Sequence, residues 1–227
     1  MSSTATIIGV TGLIGSKLWH VLKKDNHYAT IRLLVRRPFQ HNDPKTEVKL
    51  VDFNDTESFK LGIEGSDAVF CAIGTTMIKV KGDIEEYRKI DFDIIMNAAR
   101  FSKETGCENF LFVSSVGANK ASSNFYLKLK GDIEEAVKNT GPISVSAFRP
   151  SMLLGFRHEK RFAESVPKQL MQIFSFLFVG GLKKYKAINA EDVANSMVWA
   201  SKRAEPGLKI YEYEDMMMVN LPLNKEK

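Results

Sequence analysis

The fold is decided by Ile7-Ile8-Gly9-Val10-Thr11-Gly12-Leu13-Ile14-Gly15-Ser16-Lys17-Leu18, where a short apolar run meets three glycines and then becomes amphipathic. This pattern predicts a strand that turns into a helix. Gly9 allows a tight turn, Gly12 lets a pyrophosphate approach the backbone, and Gly15 lets the helix pack against the strand. Such an anion rests on the helix N-terminus, where unpaired N–H groups and the helix dipole stabilise it. We therefore expect a nucleotide at this turn, held by Gly9, Thr11, Gly12, Leu13, Ile14 and Gly15.

Short apolar runs alternate with helical patterns along the rest of the chain. The runs lie at residues 30–35, 48–51, 68–73, 110–113 and 145–148. Polar residues do not interrupt them at every second position, which is typical of strands buried on both faces. Asn54 with Glu57, and Asp83 with Glu86, have the spacing of capping boxes at helix starts. The alternation predicts an α/β fold, a Rossmann-type doubly wound parallel sheet whose ligands gather at the carboxyl ends of its strands.

Length and charge limit the domain count and the partners. The 227 residues can bury one sizeable core and show no linker or repeat, so we expect a single domain over residues 1–227. The 32 basic and 27 acidic residues, with a net charge of +5, are interleaved, whereas a nucleic-acid surface needs a concentrated basic stripe. No stretch approaches the roughly 18 apolar residues of a membrane span. We expect neither a nucleic-acid partner nor membrane insertion.

Cysteine and histidine usage bears on metals and on location. The two cysteines and four histidines lack the spacing of metal ligands or of a disulfide framework. Residues 1–5 lack the basic start and apolar core of a secretory signal. We expect no metal, and a location in the reducing cytoplasm.

The ends of the next predicted strands indicate which nucleotide binds. A site for the unphosphorylated nicotinamide cofactor places an acid about 20 residues past the last glycine. Arg36 and Arg37 stand there instead, and two guanidiniums favour the 2′-phosphate of NADP(H), unless they are simply solvated. Asp52 and Phe53 close the third strand as candidate adenine contacts, although Asp52 also fits a helix-entry turn. The fourth strand ends in further candidate contacts, Ala72, Ile73, Gly74 and Thr75.

Candidate chemistry lies in the middle of the chain. Ser114 and Ser115 end the fifth predicted strand, and Tyr126 and Lys130 follow four residues apart, on one helical face. A nearby ammonium favours ionisation of a phenol, so a tyrosine can exchange a proton with a substrate oxygen that a serine hydroxyl orients. The alternative is an ordinary amphipathic helix that follows a strand ending in serines.

Together these motifs resemble the short-chain dehydrogenase/reductase superfamily, in its atypical branch with Gly-x-x-Gly-x-x-Gly, and more narrowly the HIV Tat-interacting-protein-like oxidoreductases. The shared segments lie at residues 9–15, 36–37, 73–76, 114–118, 126–131 and 149–150. The resemblance implies that Ser115, Tyr126 and Lys130 are catalytic, with Ser114 the alternative serine. It also implies that Lys130 bonds the nicotinamide ribose and that Pro150 and Leu153 lie beside the nicotinamide.

The expected function is hydride transfer between NADP(H) and a small-molecule carbonyl or hydroxyl substrate. Two alternatives stay open: a regulatory or redox-sensing protein that binds NADP(H) without turnover, and a nucleotide-sugar epimerase-like enzyme. We expect residues 75–82 and 151–187 to build the substrate pocket, and residues 203–227 to be a further substrate-side or interface segment. Within this region the Phe-rich run 174–178 is expected to pack in a core. A homodimer or a regulatory protein partner fits either function.

Overall fold

One seven-stranded parallel sheet organises the molecule, and the computed structural model describes residues 3–154 and 185–221 of it. The strand order is β3-β2-β1-β4-β5-β6-β9, with every neighbouring pair parallel. Its strands are β1 (Thr4–Ile8), β2 (Thr30–Val35), β3 (Thr46–Leu50), β4 (Ala68–Cys71), β5 (Asn109–Val113), β6 (Ser144–Phe148) and β9 (Gly207–Tyr211). A short separate pair joins β7 (Leu153–Leu154) to β8 (Ile188–Asn189).

Helices cover both faces of the sheet. They are α1 (Leu13–Lys24), α2 (Thr56–Ile63), α3 (Ile84–Arg88), α4 (Ile94–Glu104), α5 (Phe125–Thr140), α6 (Ala190–Ser201) and α7 (Tyr213–Val219), and a π-helical turn (Lys89–Asp93) joins α3 to α4. Successive residues of β1 face opposite layers: Ile7 packs in the cluster with α1 and α6, and Ile8 in the cluster with α2, α4 and α5. Because both faces are covered, every residue of β1, β4 and β6 is buried, including small polar residues such as Thr6 and Ser146.

The strand order locates the ligand-binding edge. The chain leaves β1 toward β2 and β3 on one side, and β4, β5 and β6 follow on the other side. In such doubly wound sheets ligands bind at the carboxyl ends of the strands where this direction reverses, here between β1 and β4. The predicted α/β doubly wound sheet is therefore confirmed, and its crevice lies next to the glycine turn.

Element boundaries differ from the predicted ones mainly at strand ends. The second strand matches its predicted span, whereas β4 ends at Cys71, so Ala72 and Ile73 lie in the following loop. The α2 cap is Asp55, whose carboxylate accepts from Ser58 N at 3.1 Å, so the prediction of Asn54 was wrong by one residue. The Asp83 cap of α3 is confirmed, since its side chain accepts from Glu85 N and Glu86 N.

The C-terminal part completes the main sheet. Strand β9 lies beside β6 at the sheet edge, and α7 packs against α6. The Phe-rich run 174–178 and most of the predicted pocket segment 151–187 lie outside the described residues. Among the residues that are described, no helix combines the length and apolar character needed to cross a bilayer.

Candidate functional site

The glycine turn between β1 and α1 is packed so closely that two of its glycines have no room for a side chain. A Cβ on Gly9, which has φ +91°, would stand 2.7 Å from the carbonyl oxygen of Ala72, and one on Gly15 would stand 2.1 Å from the carbonyl oxygen of Gly9. Gly12 differs, because its Cβ would stand 3.2 Å from the nearest atom, the same Gly9 oxygen, at an ordinary φ of −79°. A Cβ at Gly12 would therefore fit only after a shift of a few tenths of an ångström, and Gly12 is much less crowded than Gly9 or Gly15.

The start of α1 has the properties of an anion site. No side chain among the described residues caps it, and its first turn contains no acidic residue. The first N–H groups of a helix lack partners within the helix, and the helix dipole is positive at this end. A phosphate group fits such a position, and the backbone-lined space at Gly12 allows it to approach.

At the carboxyl end of β2, Arg36 and Arg37 are exposed and form no hydrogen bond or ion pair with any residue in the described part of the chain. The loop that follows them is anchored from α1. The Trp19 ring meets Phe39 edge to face at 5.3 Å between centroids, and its Nε1 donates to Thr46 Oγ1 at 2.9 Å. Both guanidiniums are therefore available to a ligand at this edge of the sheet.

At the end of β3 the two predicted adenine contacts have different surroundings. Asp52 is exposed, and its Oδ1 accepts from the backbone N of Asn54 at 2.9 Å, so it does take part in a helix-entry turn. The Phe53 ring is buried and packs edge to face on Phe59, 4.8 Å away between centroids. The Phe53 ring therefore packs into the core at this strand end, and the backbone and ring of Phe53 stay candidate contacts of the base.

The loop after β4 is tied to a carboxylate that the sequence analysis missed. Thr75 N donates to Asp91 Oδ2 at 2.7 Å, and Gly74 is exposed beside this loop. Asp91 lies in the π-helical turn and is only 1% exposed. Little in the sequence singles out Asp91, because Glu85, Glu86 and Asp93 stand in the same helical segment.

The same carboxylate binds the predicted lysine. Lys130 Nζ donates to Asp91 Oδ1 at 3.1 Å, and the side chains are 5% and 2% exposed. The ammonium also lies 5.8 Å from the centroid of the Tyr126 ring, one helical turn earlier. Burial alone would lower the pKa of Lys130, but the charges of Asp91 and Tyr126 and the hydrogen bond to Asp91 outweigh burial and raise that pKa. Lys130 is therefore a buried ammonium with a fixed counter-ion.

A helix cap and a close contact with the preceding loop fix the start of α5 and the position of Tyr126. Asn124 caps the helix by accepting from Leu127 N at 3.1 Å. The preceding loop lies directly on the helix, because a Cβ on Gly131 would stand 2.3 Å from Lys120 N. This contact holds the serine-bearing strand end, the loop and the Tyr126 face of the helix in one arrangement.

The two candidate serines have different partners. Ser114 Oγ donates to Glu134 Oε1 at 2.5 Å, and Glu134 in turn accepts two hydrogen bonds from Arg149, at 2.9 and 2.6 Å. Ser115 Oγ makes a longer bond, 3.3 Å, to the carbonyl oxygen of Val116. Ser114 is thus engaged in a buried polar network, whereas Ser115 keeps a hydroxyl that can turn toward a ligand.

The segment after β6 is joined to the serine loop. Val116 N donates to the carbonyl of Pro150 at 3.1 Å, and Leu153 pairs with Ile188 in the short β7–β8 ladder. Pro150 is buried, and Leu153 is partly exposed. In the described ranges, no three His, Cys, Asp or Glu side chains come together as a metal site would require.

The parallel sheet and its glycine turn define a class, the dinucleotide-binding α/β proteins of the Rossmann type. A family model described as NAD(P)H-binding matches residues 9–162. Protein FMP52, mitochondrial, of Debaryomyces hansenii is 34% identical over 201 residues, 86% of each chain. Protein HTATIP2 of Rattus norvegicus is 33% identical over 163 residues, which is 70% of this chain and 66% of that protein. The chain belongs to the NAD(P)H-binding family and, with these relatives, to the atypical short-chain dehydrogenases/reductases.

Solved structures support the same fold. The UDP-N-acetylglucosamine 4-epimerase from Bacillus cereus superposes with a TM-score of 0.66 at 18% identity, over 96% of this chain and 85% of that one. At such identity the likeness concerns the fold alone.

The relatives correct one expectation, the cytoplasmic location. The FMP52 proteins of Debaryomyces hansenii and Candida albicans are both named as mitochondrial, which contradicts a cytoplasmic location as the expectation for this family. Cysteine usage could not have revealed this. Both cysteines are free and buried, and reduced buried thiols fit any reducing compartment.

Proposed function

We propose that this chain is an NADP(H)-dependent oxidoreductase that acts on a small carbonyl or hydroxyl compound at Ser115, Tyr126 and Lys130. The observation that carries the proposal is the position of Lys130, a buried ammonium one helical turn from Tyr126 and paired with Asp91 at 3.1 Å. Burial of a charged pair carries a desolvation cost, and buried charged groups with a specific charge partner concentrate at functional sites.

The glycine turn supports the cofactor part of the proposal. The turn lies against the loop Ala72–Thr75, since a Cβ on Gly9 would stand 2.7 Å from the carbonyl oxygen of Ala72, and β1 and β4 are neighbours in the sheet. This arrangement supports a pyrophosphate site at Gly12. Asp52 and Phe53 are the adenine-side candidates, and Pro150 and Leu153 the nicotinamide-side candidates. When bound, the nicotinamide supplies or accepts the hydride.

The free guanidiniums of Arg36 and Arg37 favour the phosphorylated cofactor. Each can donate two parallel hydrogen bonds to a 2′-phosphate, and no acid stands at the end of β2 to repel it. Both side chains are exposed, so they can turn toward a ligand without breaking a contact inside the described part of the fold.

The chain's own residues handle the proton. In the reducing direction the Tyr126 hydroxyl donates its proton to the carbonyl oxygen, and in the oxidising direction it takes that proton back. The Ser115 hydroxyl orients the same oxygen, because the Ser114 hydroxyl is already bound to Glu134. The nearby positive charge of Lys130 stabilises the phenolate that remains after proton transfer.

Replacement of Tyr126 by phenylalanine tests this function. We expect Tyr126→Phe to lower kcat by about 10² to 10⁴ on any carbonyl compound that the parent reduces, as for loss of a general acid. The NADPH dissociation constant should change little, because the ring is preserved. The measurement is NADPH oxidation with a panel of aldehydes, ketones and sugar nucleotides, together with a fluorescence titration of NADPH.

Tyr28→Phe is the matched control, since it removes a buried hydroxyl that donates to Ser201 Oγ at 2.8 Å. Tyr28 precedes β2 and therefore lies away from the carboxyl ends of the strands. It should lower stability slightly and leave kcat unchanged. Full activity in Tyr126→Phe would refute the proposed acid. A parent that binds NADPH but reduces nothing on the panel would refute the enzyme and favour the regulatory alternative.

A further inference from the structure

A single buried carboxylate connects the two halves of the proposed site. Asp91 Oδ2 accepts from the backbone N of Thr75, in the loop after β4, and Asp91 Oδ1 accepts from Lys130 Nζ, on α5. We propose that Asp91 is a positioning residue that sets the affinity for NADPH, an inference that rests on the proposed function. Asp91 would act by keeping Lys130 charged and by holding it in place against the loop Ala72–Thr75. It does so through Lys130 rather than by touching the cofactor.

The local backbone is built to bring this carboxylate inward. Between α3 and α4 the helix widens into a π-helical turn, and Tyr87, Asp91 and Ile95 are all buried at four-residue spacing. The flanking residues Lys89 and Asp93 of the same turn are exposed. π-Helical turns are rare and are frequent at functional sites. Only one acid of this turn is therefore placed to meet Lys130.

The positive charge of Lys130 depends on the negative charge of Asp91. The titratable groups that face the ammonium from the surrounding elements are Asp91 on the π-helical turn, Tyr126 on α5 and Cys71 at the end of β4. Burial raises the pKa of the Cys71 thiol to about 12, so it is neutral near pH 7 and supplies no counter-charge. Without the Asp91 charge, burial would act unopposed and lower the pKa of Lys130.

A double-mutant cycle on NADPH binding tests the inference. The variants are Asp91→Asn, Lys130→Met and the two combined, with dissociation constants measured by NADPH fluorescence. Asparagine keeps one oxygen that can accept from Thr75 N, and it replaces the oxygen that accepts from Lys130 with an uncharged NH₂ group that cannot accept. We expect Asp91→Asn to weaken NADPH binding roughly tenfold or more, as for one hydrogen bond to a charged group. The combined variant should bind no more weakly than Lys130→Met, because Asp91 acts through that lysine.

A pH series adds a readout that a purely structural role would not change. Between about pH 7 and about pH 9.5, below the ordinary lysine pKa of about 10.4, the parent should keep the Lys130 contribution to its affinity, because the Lys130 pKa is raised. Asp91→Asn should begin to lose affinity at a lower pH than the parent does, because burial without the opposing Asp91 charge lowers the pKa of Lys130. Asp93→Asn, an exposed acid in the same turn, is the matched control and should match the parent throughout.

Three outcomes would overturn the proposal: unchanged affinity in Asp91→Asn, losses that multiply in the combined variant, or a parent that does not bind NADPH. If Asp91→Asn alone does not fold, the combined variant, which buries no unpaired charge, is compared with Lys130→Met, and any further loss of affinity contradicts the proposal. Turnover is not used here, so an inactive but NADPH-binding parent would refute the proposed reaction and leave this inference standing.

Discussion

At the scale of single residues, the three glycines of the β1–α1 turn serve different purposes. Gly9 and Gly15 are required by the protein itself, because a Cβ at either would overlap backbone atoms at 2.7 Å or less. Gly12 has an ordinary φ and a nearest contact of 3.2 Å for an added Cβ. A methyl group at Gly12 would therefore require a shift of only a few tenths of an ångström in the fold, and it would also stand where a pyrophosphate is expected to approach.

A pair of alanine variants separates these purposes. We expect Gly12→Ala to fold, to lose up to about 1 kcal/mol from the poorer helix N-cap, and to bind NADPH at least about tenfold more weakly, because the pyrophosphate loses its approach. Gly15→Ala should be far less stable, since α1 would have to move away from Gly9. Urea unfolding and NADPH titration measure both effects. A Gly12→Ala protein with parental affinity would contradict the assigned role of this turn.

Sequence spacing predicted the roles of some residues, whereas the contacts of other residues became clear only from the three-dimensional structure. The helix–strand packing that the sequence analysis assigned to Gly15 is present, because its nearest neighbour, Gly9, lies in the same turn, whereas the close contact of Gly9 with Ala72 depends on the fold. The partner of Lys130 could not be predicted, since Asp91 is 39 positions away and reaches it only through a π-helical turn. The burial of Phe53 was also missed, because a strand-end aromatic has the same local pattern whether it faces the core or a ligand.

At the scale of elements, a buried ion-pair network holds together the ends of β5, β6 and α5. Glu134 on α5 accepts from Ser114 and from two nitrogens of Arg149, and Arg149 also reaches Glu212 at 3.4 Å, at the start of α7. The Glu134 side chain is 7% exposed, so its hydrogen bonds come from these partners rather than from solvent. The network fixes the strand ends that carry Ser115 and Pro150.

Removal of the guanidinium should therefore be costly. We expect Arg149→Met to destabilise the fold by about 3 to 5 kcal/mol, because it leaves a buried carboxylate uncompensated. Lys120→Met is the matched control, since it breaks an ion pair with Glu135, the residue that follows Glu134 on α5. The side chains of Lys120 and Glu135 are 62% and 47% exposed. That loss should stay below about 1 kcal/mol. Urea unfolding of both variants measures the difference, and equal losses would show that the network does not stabilise these strand ends.

Apolar periodicity predicted which segments are strands and which are helices, but it did not predict the residues at which these strands and helices begin and end. Apolar runs predicted the central strands because both faces of a parallel sheet are buried. The run at residues 68–73 continued past the last ladder position at Cys71, since apolar residues also line the loop after β4. Caps compete locally, and Asp55 rather than Asn54 has the geometry to accept from Ser58 N.

At the scale of the whole molecule, the order of the strands assembles the site. Residues far apart in sequence, from Gly9 to Pro150, meet at one edge because parallel strands all end there. This convergence was predictable from the β–α alternation alone. The cellular location was not predictable, because no targeting signal was recognised and reduced cysteines do not distinguish one reducing compartment from another. The substrate pocket remains an expectation, since most of residues 151–187 lie outside the described chain.

The central claim is that this crevice binds NADPH with its 2′-phosphate on Arg36 and Arg37, and calorimetric titration with NADPH and NADH tests it most directly. Charge-assisted contacts of about 1.5 to 3 kcal/mol predict at least about tenfold tighter binding of NADPH. The ratio should fall toward one in Arg36→Ala with Arg37→Ala. It should persist in Lys103→Ala with Lys138→Ala, which removes two exposed charges at helix C-terminal ends. Equal affinities of the parent for NADPH and NADH, or an unchanged ratio in the arginine variant, would contradict the account.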